Sequence, residues 1–404
     1  MDNFKKKELM FLIFIFCFAF ALRVSYCFFF KENILHIQTH IFGDTQDYIQ
    51  IANNFLSGKG LISSPDRIAY RPPLYPLFLS GVYYLFGNGY WPIRIIQSIL
   101  DALTCVMVYF LGRMVLNKQT GEIASFICVI YPFFIFFTGF ELTETLFIFL
   151  LLTTIYLFQR TKKNPNCRNM IITGISLGMS ILCHPSLTMF VFVLLITLAI
   201  SALWRGWENR FKIIGIVLTV TILTILPWSV RNFYHFKKFV PLTTMSGRTF
   251  WEGNNPYSSG GPCQYWPEEI QNLSEVESDK YLTKTTIKVI KEDPTRFLKL
   301  LVIKFTRFWN VKPNYEGFSS PLYNLISIFS YIPIMVTSIW GMFLTKKIWR
   351  SFLIFYLLFI SFTFTSMIFV GSIRYRTPIM PFMIIFSAYT LKWIYNKTFS
   401  LAKK

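Results

Sequence analysis

The sequence is short of the groups that soluble catalysts commonly use. Histidine occurs only four times, and none has a context suited to a nucleophilic triad. No Gly-rich phosphate loop appears, so a nucleotide-bound donor is not indicated. The seven cysteines are scattered without CxxC or Cys/His spacing, which argues against a zinc cluster or a disulfide framework. Five of them (Cys17, Cys105, Cys128, Cys167 and Cys183) lie in or beside apolar runs. The apolar segments lack the period-2 alternation of barrel strands, which excludes a transmembrane barrel. No internal repeat is visible. Acids are few: 20 Asp and Glu stand against 40 Lys and Arg, a formal charge of +20.

Apolar residues are abundant. They make up 53% of the 404 residues, and Phe alone counts 45. Many runs approach the roughly 20 residues needed to cross about 30 Å of hydrocarbon. The pattern predicts an all-α polytopic membrane protein with about ten spans: 9–30, 92–116, 120–138, 143–159, 170–183, 185–204, 212–230, 320–344, 351–371 and 378–396. The first run, "LMFLIFIFCFAFALRVSYCFFF", is too long for a signal-peptide core and lacks a small-residue cleavage site, so it is expected to be retained. The fifth and sixth spans meet at "CHPS". A helix tends to stop before proline, so they are either two spans or one broken element.

The positive charge is sorted by loop, which suggests orientation in a membrane instead of binding to nucleic acid. With Lys5, Lys6 and Lys7 in the cytoplasm, the inside loops hold Lys118, the "RTKKNPNCR" run, Arg205, Arg210 and Lys212, then Lys346, Lys347 and Arg350. The short outside loops near 139–143 and 184 hold no Lys or Arg. This divides the chain into an N-terminal membrane module, 1–230, with a first outside loop at 31–91. A small extracytoplasmic region, 231–319, follows, then C-terminal helices with a basic tail, 320–404. Within the outside region, "PTRFLKLLVIKFTRFW" mixes bases and apolar residues at helical spacing. It reads as a helix lying in the interface or as an ordinary amphipathic helix of a small external domain.

The same orientation collects the unusual polar residues on the outside face. Asp44, Asp47 and Arg71 fall in the first outside loop, and Glu141 and Glu144 in the second. His184 sits at the "CHPS" break, Arg231 opens the long outside segment, and Arg374 and Arg376 lie in the last outside loop. Each has a structural role open to it. Asp44 can cap the helix suggested by "TQDYIQIANNFL". Glu144 can be a first-turn acid favoured by the helix dipole. Arg374 and Arg376 can be snorkelling anchors, and His184 a polar helix-end residue. Their coincidence on one face is the stronger signal. A carboxylate at a membrane surface can take a proton from an acceptor hydroxyl. Arginines can fork onto the phosphate of a leaving group. Phosphate needs no protonation to leave, so one base can suffice for glycosyl transfer.

Five stretches carry a resemblance: "GDTQDYIQIANNFLSGKGL", "YRPPLYPLFLSGVYYLFG", "GFELTETLFIFLLL", "LPWSVRNFYHFKKFVPLTTMSGRTFWEGNNP" and "SIRYRTPIMPFMIIFSAY". Together the chain resembles the GT-C glycosyltransferases, in particular family 39-like proteins related to protein O-mannosyltransferases and lipid A aminoarabinose transferases. The resemblance implies a GT-C-like helix bundle, a polyprenyl-phosphate sugar donor and transfer with inversion on the extracytoplasmic side. Those families place an essential Asp four residues before an aromatic, which here is Asp44 before Tyr48. Many carry Glu directly after that Asp, whereas Thr45 stands here, so Asp47 stays open as the base. Glu144 matches a recurrent acid, and Arg71 lies in the second stretch. The expected partners are the lipid-linked donor, an acceptor lipid, glycan or protein, and membrane lipids, with no nucleic acid; the expected location is a bacterial plasma membrane. A divalent metal is compatible with paired carboxylates, but no ligand spacing demands one. The rival readings are a lipid-sugar transporter or flippase and a surface-glycan polymerase or ligase. A transporter should carry paired charges near mid-membrane, where Asp101 and Arg113 are the candidates.

Overall fold

The computed structural model describes residues 3–201, 208–318 and 320–401. The first helices are α1 (Asn3–Phe29), α2 (Lys31–His40), α3 (Gly43–Leu56), α4 (Leu74–Phe86), α5 (Tyr90–Val115) and α6 (Lys118–Ile130). Next come α7 (Pro132–Phe137), α8 (Glu144–Lys163), α9 (Cys167–Cys183), α10 (Thr188–Ser201) and α11 (Glu208–Phe236). The remainder are α12 (Ser246–Asn254), α13 (Glu275–Glu292), α14 (Pro294–Trp309), α15 (Pro321–Leu344), α16 (Leu353–Ile368) and α17 (Met380–Leu401). No strand occurs among the described residues; the one bridge pairs Ser64 with Arg67.

Among the described residues, four helices are long and apolar enough to cross a membrane: Lys6–Phe29, Tyr90–Val115, Phe211–Phe236 and Pro321–Leu344. Shorter apolar helices include Leu74–Phe86, Cys167–Cys183 and Leu353–Ile368. The expected span at 120–138 is interrupted, because Tyr131 is extended before Pro132 and so separates α6 from α7. The same physics acts at "CHPS". Extended His184 ends α9, a 3-10 turn covers Pro185–Leu187, and α10 then leaves to pack on α16 while α9 packs on α8 and α11. Small residues let α9 and α11 close up. A Cβ at Gly174 would stand 2.7 Å from the Val217 carbonyl oxygen, and one at Gly178 2.6 Å from Cβ of Thr224. The sixth expected span runs into 202–207, and its last residues, like Arg205, lie outside the described residues.

The loops sorted by charge gather at two different ends. At one end, Gln38 bonds Glu141, the Thr244 N–H donates to the Ala69 carbonyl, and Arg231 donates to the carbonyls of Leu61 and Ile68. At the other, Arg113 pairs with Glu8, Lys163 donates to the Met114 carbonyl, and Lys392 donates to Asn117. The region after α11 stands over the first end. Its α12 packs on α13, and α14 packs on α16. Helix α14 buries Leu300, Lys304 and Phe308, and leaves Leu298, Val302 and Phe305 exposed.

Candidate functional site

A cavity of about 360 Å³ opens at that first end. Its wall is assembled from α3, the loop before α4, the start of α8, the α9–α10 break, α12 and the 3-10 turn Ile373–Ile379. The polar half holds Asp44, Tyr48, Arg71, Glu144, His184 and Arg374. The other half, between α10 and α16, is apolar, with Met189, Phe192, Phe362 and Phe369.

Local structure explains how the charges meet. Helix α3 starts at Gly43 after Phe42, with no side-chain cap, so Asp44 is a first-turn residue and not the cap. Its carboxylate accepts from Arg71 Nη2 at 2.7 Å and from Arg374 Nη1 at 3.0 Å. One turn on, Asp47 accepts from Arg71 Nε at 3.0 Å and Nη2 at 2.8 Å, and from Ser63 at 3.3 Å and Arg67 at 3.5 Å. Glu144 is the first residue of α8, and one of its oxygens accepts from Arg374 Nε. The other, Oε2, is buried without a hydrogen-bond partner among the described residues. A chain of charges therefore runs Asp47, Arg71, Asp44, Arg374, Glu144. Tyr48, buried at i+4 from Asp44, meets Tyr75 edge to face at 5.1 Å and lies 5.5 Å from the Arg71 guanidinium.

The electrostatics follow from this pairing. Burial alone would raise the Asp44 carboxyl, but Arg71 and Arg374 outweigh it and hold it well below the usual carboxylate range. Burial also works against both guanidiniums, and the neighbouring acids reverse it, Asp44 first for Arg71 and Glu144 first for Arg374. His184 is pushed down to about 4, chiefly by burial, and so is neutral at pH 7. Its ring stacks on Phe147 at 4.7 Å and its Nδ1 shares a 2.7 Å hydrogen bond with Ser186. No three metal-ligating side chains converge among the described residues. Asp44 and Glu144 share Arg374.

Four of the expected residues do not line the cavity, and one of them, Asp47, stands behind Arg71. Glu141 is buried against Arg94 at 2.9 Å and Gln38 at 3.1 Å. Arg231 ties α11 to the loop before α4 and stacks on Trp228 at 4.6 Å. Arg376 is buried, donates to the carbonyls of Phe308 and Asn310 and lies 3.5 Å from the Tyr331 ring. The sequence reading also missed residues. Arg23 partners Asp101 inside the bundle, at 2.5 Å, and Arg94 partners Glu141. Basic residues within apolar helices were the available signal for both. Arg248 and Glu252 on α12 are further polar residues near the cavity, and both lie in the stretch "RTFWEGNNP" that ends the fourth segment of resemblance.

Residues 70–230 match the family model for dolichyl-phosphate-mannose-protein mannosyltransferases. No curated protein matches the chain. Among solved structures, it is similar to the archaeal oligosaccharyltransferase AglB from Archaeoglobus fulgidus in complex with an inhibitory peptide and a dolichol-phosphate. The TM-score is 0.61 at 14% identity, with 98% of this chain and 51% of that one covered. The apo form of the Archaeoglobus fulgidus enzyme gives 0.60 at 16% identity, covering 98% and 52%. ArnT from Cupriavidus metallidurans bound to undecaprenyl phosphate gives 0.42 at 10% identity, covering 95% and 77%. The chain thus shares the helical fold of the archaeal structures, in line with the GT-C resemblance its motifs carry. It spans about half the length of the oligosaccharyltransferase it matches.

Proposed function

We propose that the chain is an integral membrane glycosyltransferase that moves a sugar from a polyprenyl-phosphate donor to an acceptor hydroxyl at the face where the cavity opens. The observation that carries this reading is a single cavity with two halves. One half offers Arg71 and Arg374 for an anionic head group, and the other offers an apolar channel between α10 and α16. The dolichol-phosphate named for the similar archaeal structure, an anionic head on an apolar tail, has that two-part chemistry.

The arginines are already occupied, and that suggests how the site is switched on. Both pair with Asp44 and neutralise it. A donor phosphate competes for the same N–H groups, and guanidiniums fork onto phosphate as readily as onto carboxylate. As the arginines turn to phosphate, Asp44 regains basicity and becomes the general base. The acceptor O–H bond breaks toward Asp44 and the new O–C1 bond forms. As that bond forms, the C1–O bond to phosphate breaks on the opposite face, its electron pair leaving on lipid phosphate, so the anomeric centre inverts. The free oxygen of Glu144 is placed to accept a hydrogen bond from the donor sugar, and Tyr48 to support Arg71. Asp47 holds Arg71 from behind. The reading places this face outside a plasma membrane, with α14 lying in the interface on its exposed Leu298, Val302 and Phe305.

The transporter reading loses weight on geometry. Asp101 is sealed against Arg23, and Arg113 pairs with Glu8 at the far end. The test is transfer of label from a panel of polyprenyl-phosphate sugars by purified protein in lipid vesicles. Label should move to an acceptor and leave lipid phosphate. Donor translocation without cleavage would overturn the reading.

A further inference from the structure

Outside the arginine chain, one carboxyl near the cavity is engaged by nothing. Glu252 lies on α12; Met245, just before that helix, and Thr249, within it, line the cavity. Residue 252 follows them at i+7 and i+3, which puts all three on one face. Its carboxyl makes no hydrogen bond or ion pair among the described residues, unlike Asp44, Asp47, Glu141 and Glu144.

Its mount is rigid. A Cβ on Gly253 would fall 1.7 Å from the Phe369 carbonyl oxygen, so only glycine permits this contact. Asn254 donates to the Ile368 carbonyl at 3.0 Å and accepts from Lys304 at 2.7 Å. Phe250 packs on Phe369 with ring centres 5.8 Å apart. Helix α12 is thereby fixed on the segment that leads into Arg374, and Glu252 with it.

We propose that Glu252 is the proton relay of this site, receiving the proton that Asp44 takes from the acceptor and passing it to water outside. The inference rests on the glycosyl-transfer reading above. Once lipid phosphate departs, Arg71 and Arg374 return to Asp44. Two guanidiniums beside a protonated carboxyl make it a strong acid, so the proton is expelled. The receiver must be a carboxylate of higher affinity, near Asp44 and not held by a cation. Burial, with the Asp44 charge next, pushes the Glu252 carboxyl up to about 7, against the pull of Arg248 and Arg71. Transfer from Asp44 is downhill, and release to water near neutral pH is easy.

The surrounding charges are consistent with this. Asp44 acts on Glu252 from α3, Arg71 from the loop before α4, and Arg248 from α12 itself, and Glu252 in turn acts on Tyr375 in the 3-10 turn. On the other packed elements the groups are engaged elsewhere. Asp279 of α13 accepts from the Gly247 N–H at 2.6 Å. Lys304 of α14 holds Asn254 and the Ile368 carbonyl, and Arg296 holds the carbonyls of Asn254 and Asn255. On this account turnover needs Glu252 ionised before each cycle, so wild-type kcat falls as pH drops through about 7.

The experiment is steady-state transfer by the full chain in lipid vesicles, at pH 5.5 to 9 in steps of about half a unit, for wild type, Glu252→Gln and Glu252→Asp. Loss of proton handling typically costs about 10² or more, and bulk water recovers part of that, so Glu252→Gln should lose on the order of tenfold in kcat at pH 8. Its limb near pH 7 should disappear, KM for the donor should stay within about twofold, and imidazole buffer should restore turnover by supplying a mobile proton carrier. Glu252→Asp should keep most of the rate and the limb. Wild-type kcat with an unmoved limb in Glu252→Gln overturns the relay and leaves the glycosyltransferase reading standing. If wild type itself transfers no sugar from any polyprenyl-phosphate donor, both fall together.

Discussion

Two clusters of opposite charge lie in this bundle and are built on different terms. Arg23 and Asp101 are 0% and 2% exposed and close a 2.5 Å pair between α1 and α5. The remaining Arg23 donors go to the carbonyls of Ala19, Cys128 and Val129, so little is left over for a ligand. Asp44, Arg71, Glu144 and Arg374 line a cavity instead. The Asp44 side chain is 34% exposed, Arg374 is shared between two acids, and one Glu144 oxygen has no partner. The first cluster is sealed and nearly saturated, and it holds helices together. The second is paired and still accessible, so its bonds can be exchanged for those of a ligand. Burial and ion pairing alone would have ranked the first cluster higher. Access and spare bonding capacity reverse the order.

The comparison breaks most sharply at Asp44. Asp44→Asn is nearly isosteric and should cut turnover by about 10² to 10⁴ while leaving expression and melting close to wild type. Normal turnover in that variant, with loss in Asp47→Asn, would move the base one turn along α3. The sealed pair should behave in the opposite way. Asp101→Leu strands Arg23 and should destabilise the protein by about 3–5 kcal/mol, read as a lower melting temperature in lipid. Adding Arg23→Met should recover most of that loss, since replacing both partners removes the unpaired charge. Catalysis per folded molecule should stay unchanged in the double variant.

Smaller effects sharpen the same contrast. Arg71→Lys keeps the charge but loses the fork, so donor affinity should fall about tenfold, measured by binding of a polyprenyl-phosphate sugar to the protein in vesicles. Arg376→Lys should leave donor affinity alone, because that side chain is spent on the Phe308 and Asn310 carbonyls and the Tyr331 ring. The smallest effect concerns stability at Glu252. Its folded carboxyl sits at about 7 against an ordinary 4.5, so its protonated form is favoured by folding. That contribution is complete below pH 4.5 and is lost as pH rises through 7. Wild type should therefore melt progressively lower than Glu252→Gln between pH 5 and 8. Parallel melting curves would remove the shift.

Much of this was legible in the sequence, for identifiable reasons. Asp44, Arg71, Glu144 and Arg374 stand out because charges at the ends of apolar runs are conspicuous, and the loop-charge pattern grouped them on one side. The proline breaks at "CHPS" and Tyr131–Pro132 are local and were readable in kind, though only the first was read. What stayed hidden depends on long-range pairing. Nothing local marks Arg23 as the partner of Asp101, 78 residues away, or Arg94 as that of Glu141. The spacing of Arg374 and Arg376 could not say which one enters the cavity. In a 3-10 turn residues two apart point in different directions, and only packing on α14 and Tyr331 decides. Glu252 was masked by its neighbours, because "EGNNPYSSGGPC" reads as turn chemistry while its first residue closes a helix.

The arginine clamp on Asp44 also bears on inhibition. An anion that binds these arginines must displace a carboxylate the protein carries itself, so charge alone yields little net gain. Inorganic phosphate or a water-soluble sugar phosphate should compete poorly, even at high concentration. A lipid phosphate adds the burial of its tail between α10 and α16, which Asp44 cannot match. Selectivity for membrane-borne ligands over the pool of soluble phosphates would then come from the site's own internal competitor, with the tail tipping the exchange.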